Sequence, residues 1–258
     1  MIQPHVIQAV RWSPDGDAVT IIDQRRLPGE LVERELRSLD EVCDAIRTLA
    51  VRGAPAIGVA GAMGLVASLA RHAEADDETA FNGRVAEHAA AIRGTRPTAV
   101  NLPWAIDRML ARIGTGGGKR EAVRGKRELH PAGGPPHVGV CGAPGADAGS
   151  DRRDTGLSAA SQPNLALLRA LRDEADAILE EDRAMCRRIG EHGLPLIADG
   201  ARVLTHCNAG ALATAGIGTA LAPVYLAVAA GRRVEVFADE TRPLLQGSRL
   251  TAWELSRA

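Results

Sequence analysis

The sequence predicts an α/β protein, with a mixed helical N-terminal domain followed by an incomplete Rossmann-like domain built on a parallel sheet. Three observations predict it. Beyond residue 164, short β-branched runs alternate with helical patterns, the order that builds a parallel sheet with covering helices. Before residue 112, capping and turn signals delimit several helices around an apolar strand. Between the two, composition changes abruptly: the 50 residues from Gly114 to Pro163 hold 12 Gly and 5 Pro.

In chain order, Ala18–Ile22 reads as a strand. Ser38-Leu-Asp-Glu41 is a capping box, in which hydroxyl and carboxylate satisfy free backbone N–H groups, and it opens a helix to about Ala50. The turn Arg52-Gly53-Ala54 follows, and Pro55, whose fixed φ suits the first helical turn, starts the next helix. Another helix runs from about Leu102 to Arg112. The Gly/Pro-rich stretch lacks apolar periodicity and aromatic residues, so it cannot bury enough surface to offset its ordering entropy and is expected to be disordered. The expected domains are therefore 1–112 and 164–258, flanking an insert at 113–163.

After the insert, Pro163-Asn164 caps a long helix with apolar residues at Leu165, Leu168, Leu171, Ala175, Ile178, Met185 and Ile189, stopped by Gly193 and Pro195. Arg202–Thr205 is a strand, 211–230 an apolar helix closed by Gly231, Val234–Phe237 a strand, and Leu250 starts a last helix.

Charge and composition exclude several functions. Thirty-one basic against 32 acidic side chains leave a net charge of −1, which gives no pull toward nucleic acid or anionic membrane. The six aromatic residues leave a gap from Trp104 to Tyr225, so stacking platforms for single strands are not expected. The start lacks a signal-peptide pattern. The weakly polar stretch Gly53–Ala70 is rich in Gly and Ala and reads as a loop and buried helix, not a membrane span. Cys43, Cys141, Cys186 and Cys207 contain no CxxC pair and indicate neither a disulfide framework nor a zinc site. A reducing cytoplasm is the expected location.

Two strings carry chemistry. Thr205-His206-Cys207-Asn208-Ala209-Gly210 lies where a strand ends and a helix begins, the place where open α/β sheets bind ligands. Free N–H groups there would favour a thiolate at Cys207; the plain alternative is a small buried residue beside a turn. His206 points to the opposite strand face, so a direct pair with Cys207 is not expected. In Val51-Arg52-Gly53-Ala54-Pro55-Ala56-Ile57-Gly58, Arg52 and the helix start could hold a phosphate. Equally, Gly58, Gly61 and Gly64 could simply allow close helix packing. Two further loops, around Arg96-Pro97-Thr98 and from Asp239 to Arg249, read as solvated, though the second again follows a strand, so Gln246 and Arg249 could reach the same crevice as Cys207.

Together the strings RGAPAIGVAGAMG, TRPTAVNLPWAIDRM, ILEEDRAMCRRIGEHG, LTHCNAGALATAGIGTAL and ADETRPLLQGSRLTAWEL closely resemble the S-methyl-5-thioribose-1-phosphate isomerase family. That family shares its fold with regulatory subunits of the eukaryotic translation-initiation exchange factor. The resemblance implies aldose–ketose isomerisation of a sugar phosphate without metal or other cofactor, in a homodimer, with no nucleic-acid or membrane partner. It implies that Arg52, Gly53, Ala54 and Arg96 hold the substrate and its phosphate, that Gln246 contacts the sugar, and that Cys207 is the catalytic thiol. The family's aspartate, in a GADR-type string, is absent from these 258 residues, and residues 114–163 match nothing in the pattern. A disrupted gene or a fragment, with very low turnover, is therefore expected. A non-catalytic sugar-phosphate sensor and a ribose-1,5-bisphosphate isomerase stay open as alternatives.

Overall fold

A computed structural model describes residues 7–114 and 162–257. The insert lies outside the described residues apart from its ends at 113–114 and 162–163, and so does Cys141.

The N-terminal part opens with three antiparallel strands in the order β1 (Val10–Trp12), β2 (Val19–Ile22) and β3 (Glu33–Leu36). Strand β2, all four residues buried, is the apolar run the sequence predicts. The two outer strands are not predicted: β1 is only three residues long, and β3 (Glu-Arg-Glu-Leu) buries Leu36 alone against Val19, so neither offers a period-2 apolar signal.

Helix α1 (Leu39–Arg47) begins with the predicted capping box, both halves of it formed. Helix α2 (Ala54–Leu69) is the axis of the fold and packs against α1, α3, α4 and α5. It continues through a 3₁₀ turn to His72, and this stretch is the one described helix long and apolar enough to cross a membrane. Its apolar window is 78% buried within the fold, so its hydrophobicity serves the core. The close-packing reading of its glycines holds: a Cβ at Gly61 would lie 2.4 Å from Leu102 and one at Gly64 2.6 Å from Val42.

Helix α3 (Glu78–Arg93) is a helix the sequence reading did not include, although Phe81, Val85, Ala89 and Ile92 keep helical spacing and Asp77 caps it through a 2.8 Å bond from Ala80 N–H. Helix α4 (Asn101–Arg112) follows as expected.

Helix α5 (Gln162–Gly193) runs for 32 residues. Asn164 does not cap it. It lies within the first turn, and its side chain donates 2.8 Å to the Asp76 carbonyl. Leu171, Ala175 and Ile178 are buried as predicted, but Met185 is half exposed, and Cys186 takes the inner position instead. The cause is the drift of a straight 3.6-residue helix away from any fixed spacing over eight turns.

Strands β4 (Ala201–His206) and β5 (Val234–Asp239) pair in parallel, Val203 opposite Val236 and His206 opposite Asp239. Their connection contains the largest departure from the sequence reading. The helix expected over 211–230 is confined to α6 (Ala222–Ala229). Residues 211–213 form a 3₁₀ turn, and the Thr214 hydroxyl accepts from Gly216 and Gly218 N–H groups, diverting the chain from helical bonding. Gly218, at φ +88°, presses on the Gly210 backbone, where a Cβ would lie 2.5 Å away. A π-turn (Gly247–Thr251) and the short α7 (Ala252–Leu255) close the described chain. Leu212, Ala215, Leu250 and Trp253 join the same buried cluster as the N-terminal helices, so a single core carries both parts.

Candidate active site

Cys207 follows the last residue of β4 and adopts φ +64°, the left-handed region that side chains other than Gly seldom enter. Two bonds hold it there. Thr251 donates to the Cys207 carbonyl at 2.5 Å, and the Cys207 thiol donates to Gln246 Oε1 at 2.6 Å. The half-buried thiol thus meets the one residue of the LLQG string assigned to substrate, across the gap between the ends of β4 and β5. His206 points away: it is exposed beside Asp239 at 4.0 Å and makes no bond to Cys207.

Arg52, only 9% exposed, reaches in from the turn before α2. Its guanidinium donates to Asn208 Oδ1 at 2.7 Å and to the Asn208 carbonyl at 3.1 Å. Burial lowers its affinity for a proton, while the proximity of Cys207 and Glu254 works in the opposite direction. The guanidinium is therefore tied to the residue next to the thiol.

Gly53 shows why the turn needs glycine. At φ +92°, its missing Cβ would lie 2.4 Å from the Ala213 carbonyl oxygen, so the close approach is to the backbone of the C-terminal part. Ala54 begins α2 and is exposed. A cavity of about 330 Å³ adjoins this turn, walled by Arg52, Gln246, Arg249, Gln24, Leu49 and Leu244 among others. Gln246 and Arg249 share this cavity, but Cys207, whose crevice the sequence expected them both to reach, does not line it; Gln246 alone bonds the thiol. Arg249 also bonds the carbonyls of Gln24 at 2.9 Å and Leu27 at 3.1 Å, clamping the loop after β5 to the N-terminal part.

Arg96 stands apart from this cavity. It is half-exposed in the turn before α4, with no side-chain partner among the described residues. Its turn leads into Asn101, which packs against Gly58 one turn into α2, with 3.0 Å between a built Cβ and the Asn101 carbonyl. No cluster of metal-ligating side chains occurs among the described residues.

Sequence reasoning missed Asn208, Gln24, Thr251 and Glu254. Asn208 and Glu254 lie in strings already singled out, but only their hydrogen bonds give them a part. The available signal was a hydroxyl and a carboxylate, Thr251 and Glu254, in the mostly apolar string Leu250–Leu255.

The profile of the initiation factor 2 subunit family matches residues 50–258. The chain belongs to that family. Among initiation factor 2 subunit family relatives, it is 51% identical over 258 residues to the methylthioribose-1-phosphate isomerase of Gemmatimonas aurantiaca, covering 99% of this chain and 60% of that protein. It is 44% identical over 252 residues to the 5-deoxyribose 1-phosphate isomerase of Moorella thermoacetica, covering 98% and 59%. The crystal structure of 5-methylthioribose 1-phosphate isomerase from Pyrococcus horikoshii OT3 is similar with a TM-score of 0.75 at 29% identity, over 99% of this chain and 58% of that one. That of translation initiation factor eIF-2B subunit delta from A. fulgidus gives 0.72 at 35% identity, over 97% and 59%. The chain thus spans about three-fifths of the length of these relatives.

Proposed function

We propose that the protein is an aldose–ketose isomerase that converts 5-methylthioribose 1-phosphate into 5-methylthioribulose 1-phosphate, a step of methionine salvage. The observation that carries this reading is the Cys207 thiol, held in a left-handed turn on Gln246 beside the buried Arg52. The names of relatives at 44–51% identity support it.

The chemistry accounts for these parts. Phosphate on the anomeric oxygen blocks the simple proton loss by which a free sugar opens, so the site must assist ring opening and then move hydrogen from C2 to C1. Such a transfer needs an acid/base group near C1 and C2 and a pocket shielded from water. In this reading Cys207 is that group and Gln246 orients the sugar. Arg52, Gly53 and Ala54 hold the phosphate at the start of α2, where free N–H groups favour an anion. Arg96, in the turn before α4 and outside that cavity, would have to move toward the same anion to share in holding it. The β4–α6–β5 unit is then half of a Rossmann-like layer with the substrate at the carboxyl ends of its strands. The active form is a homodimer in the cytoplasm.

The test is turnover. Purified protein supplied with 5-methylthioribose 1-phosphate should form the ketose at the very low rate expected above, and Cys207→Ser should remove that turnover. The Moorella relative's name favours 5-deoxyribose 1-phosphate as a second substrate, which also carries an apolar C5 group. Ribose 1,5-bisphosphate should compete poorly with both. Binding without turnover by the wild-type protein would refute the enzyme reading.

A further inference from the structure

Glu254 on α7 is fully buried, yet none of the roles above uses it. Both of its oxygens act as acceptors. Asn208 Nδ2 donates to Oε1 at 3.2 Å, and the Leu212 N–H donates to Oε2 at 3.0 Å. The carboxylate also sits against Gly210, where a Cβ would lie only 1.5 Å from Oε1, so the glycine of the THCNAG string makes room for it. With its amide nitrogen committed to Glu254 and Thr251, Asn208 must turn its oxygen to Arg52.

We propose that Glu254 is a positioning residue: its carboxylate fixes Asn208, and through Asn208 it holds the Arg52 guanidinium and the Cys207 turn in one arrangement. This rests on the reading of Cys207 and Arg52 given above. The proposal follows from donors and acceptors alone. Only an acceptor at both oxygens satisfies Leu212 and Asn208 together. An amide at position 254 has one oxygen. If that oxygen takes Leu212, Asn208 must flip and confront Arg52 with a second donor. If it takes Asn208, the Leu212 N–H is left facing an NH₂ group.

The charged and titratable groups facing Glu254 are Arg52, before α2, and Tyr225, on α6, whose phenol burial and the charge of Glu254 push up. Burial raises the Glu254 carboxyl itself to about 7, so the arrangement should be made and unmade near neutral pH.

The experiment uses the full chain as wild type, Glu254→Gln and Glu254→Asp. Cys207 is carbamidomethylated with iodoacetamide, the thiolate displacing iodide, across a pH series, followed peptide by peptide by mass spectrometry, beside KM and kcat for 5-methylthioribose 1-phosphate. The wild-type profile should show an inflection near pH 7. E254Q should lack it, alkylate more slowly above it, and raise KM about tenfold, as expected for an unsettled bond to a charged group. E254D, which keeps two acceptor oxygens, should fall between. A general loosening would rescale the profile without removing the inflection. A folded E254Q protein with the wild-type alkylation profile overturns the proposal. If E254Q does not fold, E254D decides, and wild-type behaviour in it overturns the proposal likewise. Absence of turnover in the wild type counts against the isomerase reading instead, and the alkylation comparison still decides the role of Glu254.

Discussion

Gly53 and Glu254 set the terms of the site one residue at a time. Gly53 combines a left-handed φ with backbone contact to Ala213, so Gly53→Ala should cost about 2–3 kcal/mol of stability. It should also part the Arg52 turn from the C-terminal part, to be checked by denaturant unfolding alongside KM. Glu254 makes stability depend on pH. Its carboxyl is raised from an ordinary 4.5 to about 7 in the folded protein, so the fold holds that proton more tightly than the unfolded chain does. The stability this gives is fully present below about pH 4.5 and is lost as pH rises through about 7. Wild type should lose up to about 3 kcal/mol relative to E254Q over that window, measured by unfolding at a series of pH values. The ionised network that positions Arg52 is thus formed in the range where it costs stability, as is common at functional sites.

Among the elements, the glycines of α2 and α3 part company. Gly64 of α2 faces Val42 closely, and Gly64→Ala should destabilise by about 1–3 kcal/mol because branched carbons must move. Gly83, exposed on α3 with nothing within 4 Å of a Cβ, is the opposite case. Gly83→Ala should stabilise by about 0.5–1 kcal/mol through helix propensity alone. Thermal melts of the two variants should move in opposite directions. The same residue helps explain why α3 is hard to read: its apolar stripe is thin, and Gly83 on the opposite, exposed face weakens its helix propensity. The connection after β4 fails differently. Its composition is helical, but the Thr214 hydroxyl and the contact between Gly210 and Gly218 exploit a tertiary environment that no local propensity reports.

At the scale of the whole molecule, one buried cluster runs from β1 to Trp253, with α5 threaded through it. Leu171 lies in the first third of that helix and is fully buried. Leu171→Ala should cost about 2–5 kcal/mol and lower one shared transition. Two separate transitions, with only the N-terminal one displaced, would contradict a common core.

Several features were legible in the sequence because their causes are local. The capping box at Ser38, the Pro-started α2, the β-branched strands β2, β4 and β5, and the strings around Arg52, Cys207 and Gln246 each depend on residues a few positions apart. What only the tertiary structure decided is how distant groups satisfy one another: Arg52 on Asn208, Asn208 on Glu254, Arg249 on the carbonyls of Gln24 and Leu27, and the missing Cβ of Gly53 against Ala213. A buried donor or charge must find its acceptor wherever the fold brings one. That requirement acts across space, so spacing along the chain does not record it.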